Sequence, residues 1–473
     1  MILLKPDPTF YPSAKLAMQA PAEGLAYVAT VQRHGKPDAL RVVDLDANSP
    51  TYGQFVHTLE LPYVGDELHH FGWNACSSAL CPYAPHPYLE RRYLIIPGLR
   101  SSRLYIVDTK PNPREPRLVK IIEPEEIKAR AGYTRPHTVH CGPSGIYISA
   151  LGAQNGGGPG GIFVLDHYDF QILGRWEVDR GPQFLGYDFW WHLGHDVAIT
   201  SEWGPPELFE NGLNLADVVN RRFGHAIHLW DLRRRTHLQQ LDLGDENQMV
   251  LELRPAHDPT KTYGFVGVVV NLQNLSSAVW LWRKDGERWE IRKVIEVPAE
   301  PADPAVLPPM LKDLGVVPPL VTDINLSLDD RFLYVSCWGT GELRQYDVSD
   351  PFNARFTGSV RIGGLVNPTP HPKGGAVQGG PQMVEVSRDG RRIYFTNSLY
   401  SSWDDQFYPS MRGWMVRVDA DPAGGMAFDP DFFVDFGELR AHQVRLEGGD
   451  SSSDSFCYPN DGSGGRTNAA AQV

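Results

Sequence analysis

Along this chain apolar and polar positions alternate in short runs, and the three-to-four spacing of an amphipathic helix is scarce. The clearest unit runs from Val321 to Trp338. It reads as a strand (Val321–Leu326), a tight Asp329-Asp330 turn and a buried strand ending at Cys337-Trp338. Gly341 to Asp347 then gives a third strand closing on Tyr-Asp-Val, followed by a turn at Pro351. The same grammar returns at Gln382–Thr396, and around His137–Ile148 with Gly161–Asp166 as its third strand. Looser copies begin near Tyr187 and Met249, and the third-strand signature recurs at Leu104–Asp108, His228–Asp231 and Leu40–Asp46.

Repeats of ~40–50 residues, each worth about four strands, are the mark of a β-propeller. Units start near His69, His137, Tyr187, Leu251, Asp323, Met383 and His442. The last is short and must borrow strands from Leu25–Leu61. The expectation is therefore an all-β, seven-bladed β-propeller whose ring is closed by N-terminal strands completing the C-terminal blade. Closure also removes the sheet edges that an open array would expose. A pair of β-sandwiches is the rival architecture, and the repeat period disfavours it. One domain is expected over residues 1–458, with a disordered Ser, Gly and Asn-rich tail at 459–473. Insertions are expected at Asn155–Gly161, Glu300–Pro319 and Gly363–Gly380, and at Pro206–Arg222 with room for a short helix.

Composition narrows the class. The 473 residues are 42% apolar and 11% aromatic, which is a packed chain. A net charge of −13 argues against a nucleic-acid or anionic-membrane surface. No apolar run approaches the ~18 residues of a membrane span. Five cysteines are too few for a disulfide framework in so long a chain. The N-terminus carries no visible export leader, so the cytoplasm is the expected compartment, or the periplasm if a leader lies upstream.

Candidate chemistry sits at the blade starts. The innermost strands of a propeller all run the same way along the central channel, so equivalent blade starts ring one mouth. That register draws together His69 and His70, His137 and His140, Asp323, and His442. In a regular strand His69 and His70 face opposite sides, as do His137 and His140, unless a bulge or a turn at Pro136 intervenes. Imidazoles with a sulfur nearby select a transition metal, with affinity peaking at copper, over magnesium or calcium. A lone histidine at a blade start is as often a hydrogen-bonding residue, so the case rests on the set of five. Cys76, Cys141 and Cys337 read as core. His34, His57, His86, His167 and His237 read as surface or turn residues. Glu202-Trp203 and Trp338 are placed to wall a small pocket. No nucleophile elbow, Walker loop or His-Glu-x-x-His helix is present.

Several of these stretches resemble the selenium-binding protein/methanethiol oxidase family. They are Asp66-Glu67-Leu68-His69-His70 with Gly72-Trp73-Asn74 and Cys76-Ser77-Ser78, His137-Thr138 with His140-Cys141, and Leu185–Trp190. Glu202-Trp203, Leu326–Tyr334, Gly379–Met383 and Ser398–Ser401 extend the similarity, which spans about residues 16–454. The resemblance implies a propeller enzyme that uses copper and O₂ to convert methanethiol to formaldehyde, hydrogen sulfide and hydrogen peroxide. It makes His69, His70, His137, His140 and His442 the metal-site candidates, with copper the expected ion and another transition metal the substitute. Asp66, Glu67 and Asp323 are the candidates for moving protons, with no catalytic base assigned. A small thiol and O₂ are the expected partners, with no nucleic acid and no membrane span. Selenium binding is weakened, because Gly53 and Ser451 stand where family members carry cysteines. The rival readings are a non-catalytic copper, selenium or thiol carrier, and a protein-interaction propeller without metal.

Overall fold

The computed structural model describes residues 8–33, 35–81, 86, 88–375 and 377–460; His34 and the tail from 461 onward lie outside the described residues. Seven four-stranded antiparallel sheets form a β-propeller, with one further two-stranded pair, Glu300–Pro301 with Val316–Val317, in the proline-rich insertion. The innermost strands of blades 1 to 7 are Gly72–Trp73, Tyr133–Gly142, Phe189–His192, Asn247–Pro255, Val321–Leu326, Val384–Val386 and Arg440–Leu446. Each begins within a few residues of the start read from the repeat. The turns between the first two strands of the two clearest copies are built alike. Ser327 and Ser387 each donate to the aspartate two residues on, and each accepts from the backbone N–H five residues on.

Blade 7 closes the ring as expected: Arg440–Leu446 pairs with Leu25–Val31, which carries Pro37–Asp44 and Phe55–Val64 outward. Hydrogen bonds across the seam hold the closure. The Phe71 N–H donates to Gln443 Oε1, and Arg445 Nε donates to the Phe71 carbonyl at 2.9 Å. Gly72 lies so close to blade 2 that a Cβ there would stand 2.4 Å from the Val139 carbonyl oxygen. A side chain at this position would push blades 1 and 2 apart.

Apolar faces packed between neighbouring blades make up the core, as between blades 1 and 2 (Ile95, Ile106, Val139, Ile148). The channel is filled instead by paired charges from the inner strands. Arg254 bonds Glu252 at 3.1 Å and Asp323 at 3.2 Å and lies 3.5 Å from Asp188, while Arg445 bonds Glu385 at 2.6 Å. Buried charges persist only in such mutual company. The segment after blade 7 folds back over the late ends of these strands. Ser451 donates to Asn325, Ser452 to Glu385, and Ser455 accepts from the indoles of Trp190 and Trp191.

The helix Leu215–Val219 falls inside the expected insertion. Helices Pro124–Ala131 and Ser401–Phe407 were not legible as such. No helix among the described residues is long and apolar enough to cross a membrane. The cysteines form no framework, but one disulfide, Cys81–Cys457, ties the segment after blade 7 to the loop of blade 1. Cys76, Cys141 and Cys337 are free and buried, as expected. His167, expected near the surface, is instead buried with Nε2 3.5 Å from Cys141 Sγ.

Candidate metal centre

Four of the five predicted histidines meet at the early end of the channel. His69, His70 and His137 each offer a nitrogen, and these three atoms lie within 4.8 Å of one another. His442 stacks on His69 with ring centroids 3.7 Å apart, and His70 lies 4.0 Å from His137. All four are buried. The seam of the ring brings His69 and His442 together from opposite ends of the sequence.

Strand irregularities explain how adjacent residues can face one site. His69 and His70 precede the ladder of blade 1, and Glu67 just before them has φ +57°. Freed from strict alternation, the two rings lie nearly parallel, 5.1 Å apart at 10°. In blade 2 the register slips between Pro136 and Val139, so that His137 and Thr138 together oppose one residue of the next strand. Blade 7 slips in the same way at His442 and Gln443, blade 4 at Leu251 and Glu252, and blade 5 at Thr322. A bulge re-aims the side chains it contains. Here four blades carry one at the same level.

The site is polarised towards a cation. His442 Nδ1 lies 2.7 Å from the Ser398 carbonyl, to which it must donate. His137 Nδ1 lies 3.0 Å, and His70 Nδ1 3.4 Å, from Thr138 Oγ1, whose two lone pairs can accept from both. With the protons on Nδ1, Nε2 of all three rings is a bare acceptor, and none of these Nε2 atoms has a hydrogen-bond partner among the described residues. Burial, reinforced for His69, His70 and His137 by the other imidazoles, holds them well below the usual histidine range; burial brings His442 down to about 4. Neutral imidazoles with orphaned nitrogens, oriented from behind, are what a transition-metal site requires. The donor set fits such an ion.

His140 does not join them. Three residues of extended chain carry it ~10 Å further along the strand. Its ring packs against Trp190 at 4.1 Å and against Phe189 and Trp191, and makes no ring contact with the other four histidines. Burial, helped by Arg445 and Arg254, keeps it neutral as well. The three acidic candidates are held elsewhere. Asp66 accepts from the Tyr105 hydroxyl at 2.6 Å and lies 3.4 Å from Arg103. Glu67 accepts from the Ser401 N–H and hydroxyl, pinning helix Ser401–Phe407. Asp323 pairs with Arg254 and caps the Val384 N–H at 2.7 Å. Sequence reasoning missed Glu252, whose Oε1 lies 3.6 Å from His70 Nε2. The signal was available: a carboxylate in the otherwise apolar run Met249-Val250-Leu251-Glu252-Leu253.

A small cavity opens beside His69, walled by Tyr187, Trp203, Met249, Leu251, Val269, Trp338, Leu399 and Trp403. Its volume is about 20 Å³, on a measure in which a single water needs ~10–15 Å³. Trp203 and Trp338, singled out from sequence as pocket walls, both line it. Helix Ser401–Phe407 roofs it and is tied to the Pro206–Arg222 insertion by Trp403 Nε1 donating to the Phe209 carbonyl at 3.0 Å. Gly53 and Ser451, the two positions lacking a family cysteine, lie away from this centre. Gly53 packs on Phe432, and Ser451 is buried against Asn325.

Fold and site together define a seven-bladed β-propeller with a buried, metal-capable histidine cluster at one mouth of its channel. Residues 4–457 match the family described as 56kDa selenium binding protein (SBP56), and the chain belongs to that family. It is 41% identical over 468 residues to a methanethiol oxidase of Rattus norvegicus, covering 93% of this chain and 96% of that one. It is 40% identical over 474 residues to selenium-binding protein 3 of Arabidopsis thaliana, covering 94% and 96% respectively. The crystal structure of a hypothetical selenium-binding protein from Sulfolobus tokodaii superposes with a TM-score of 0.94 at 59% identity, covering 96% of this chain and all of that one.

Proposed function

We propose that this chain is a copper-dependent thiol oxidase of the methanethiol oxidase kind. The reaction takes CH₃SH, O₂ and H₂O to formaldehyde, H₂S and H₂O₂, which balances in atoms and electrons. The observation that carries the reading is the buried imidazole cluster: one nitrogen each from His69, His70 and His137 lies within 4.8 Å of the others, and the His442 ring stacks on His69. Relatives named methanethiol oxidase at about 41% identity support the choice of substrate. His69, His70 and His137 would hold the ion, and His442, stacked on His69, completes the set. Bound there, copper supplies a redox centre able to pass electrons from a thiol to O₂.

The chain's own residues supply the rest. Trp203, Trp338, Trp403 and Leu399 receive the methyl group and exclude water, and the cavity's size favours a one-carbon thiol. The sulfur then faces His69 and the metal side. Thr138 and the Ser398 carbonyl hold the rings in place from behind, so the site is formed before substrate arrives. His140 stands apart from the ligand set and packs the channel wall.

Metal analysis of purified protein, followed by peroxide and sulfide assays with methanethiol, tests this. His70→Ala and His137→Ala should each lose bound copper and turnover, and His140→Ala should keep its copper. Copper bound without any turnover would make the protein a carrier. Unchanged copper in His70→Ala and His137→Ala would remove the site.

A further inference from the structure

The Glu252 carboxylate has no place in the reading above, and its surroundings single it out. One oxygen, Oε2, is bonded by Arg254 at 3.1 Å. The other, Oε1, is buried and without a hydrogen-bond partner among the described residues. It faces His70 Nε2, equally buried and equally unpartnered, across 3.6 Å. That gap is too long for a hydrogen bond. A buried carboxylate oxygen left without a close donor is costly, and the His70 ring facing it stands beyond hydrogen-bond range. A cation shared by the two atoms would relieve both.

The backbone makes the same point independently. Glu252 sits in the blade 4 bulge, opposite Gly267, as His137 and Thr138 sit in the blade 2 bulge and His442 and Gln443 in that of blade 7. The device that turns two of the histidines towards the centre turns this carboxylate too. Arg254, itself locked between Asp323 and Asp188, fixes the far oxygen and so aims the near one.

We propose that Glu252 is an oxygen ligand to the metal held by the histidines, sharing the ion with His70. The inference rests on the metal reading above and adds a hard, anionic donor to a set of neutral nitrogens. Such a donor favours the oxidised, divalent state of copper over the monovalent one.

The test compares Cu²⁺ binding by the full-length protein, in competition with a chelator of known affinity, with the electron paramagnetic resonance spectrum of the bound ion. Glu252→Gln removes the charge and keeps the shape. Glu252→Asp keeps a charge for Arg254 but withdraws the carboxylate by one methylene, which guards against a variant that simply fails to fold. Both should bind Cu²⁺ at least ~10-fold more weakly. Both should show altered copper hyperfine coupling and a more positive copper reduction potential. Wild-type affinity and spectrum in both variants, alongside loss of copper in His70→Ala, would overturn the Glu252 assignment and leave the histidine site standing. Wild-type behaviour of Glu252→Asp with weakening only in Glu252→Gln would reduce the residue to a source of charge and also overturn it. Failure of the unaltered protein to take up Cu²⁺, or full binding by His70→Ala, would remove the histidine site itself.

Discussion

Thr138→Val is the sharpest probe of how the centre is held. Valine matches threonine in shape, so the bulge and its backbone bond from the Thr138 N–H to Ser149 Oγ at 3.0 Å are retained. What disappears is the hydroxyl behind His137 Nδ1 at 3.0 Å and, more loosely, His70 Nδ1 at 3.4 Å. In the metal-free protein, one good and one long hydrogen bond are lost and two buried ring nitrogens lose their partner, a cost of ~1–3 kcal/mol. For the metal the loss is one of orientation and tautomer, since neither ring is then committed to presenting a bare Nε2. Partners behind ligating histidines are typically worth 10–100-fold in affinity, so copper binding should weaken by about that factor, or ~1.4–2.7 kcal/mol. The assay is a Cu²⁺ competition titration beside urea unfolding of the metal-free protein, with Thr138→Ser as the control that keeps the oxygen. If serine and valine weaken copper equally, the hydroxyl is not the agent. If valine binds as tightly as threonine while His137→Ala binds nothing, the rings are held by packing alone and the reasoning fails.

Enlarging the cavity should change substrate choice. Leu399→Ala removes wall from the recess beside His69, at a stability cost of ~2–5 kcal/mol, and should raise the kcat/KM ratio of ethanethiol to methanethiol at least ~10-fold. Peroxide release measures that ratio, and an unchanged one would place substrate elsewhere. Acid should destabilise the fold partly through His167, which burial, reinforced by His86, pushes down to about 4. The unfolded chain takes up this proton near the ordinary histidine value, so the contribution is intact above about pH 6.5 and is lost progressively as pH falls towards 4, by up to ~3 kcal/mol. His167→Gln should therefore flatten the pH dependence of the urea midpoint over that window, and identical slopes in both proteins would refute the assignment.

The strand grammar from Val321 to Asp347, repeated at Gln382–Thr396, was enough to set seven blades and a ring closed by the N-terminal strands. Those signals are local: two-residue alternation, turn chemistry and a fixed period survive in one dimension. Placing His69, His137 and His442 at a common level needed only the rule that inner strands run in one direction. Side-chain direction was a different matter. Strict alternation predicted that His69 and His70 would diverge and left His137 and His140 as equals. The bulges that turned His137 and His442 inward, carry Glu252 and sent His140 on to Trp190 exist only as mismatches between paired strands, such as Pro136 and Val139 against Ala150 and Ile148. A bulge is a property of two segments in register, and no single segment encodes it. The chain by itself therefore determined which residues could meet at the channel mouth, and the pairing of strands in three dimensions decided which of them turn to face it.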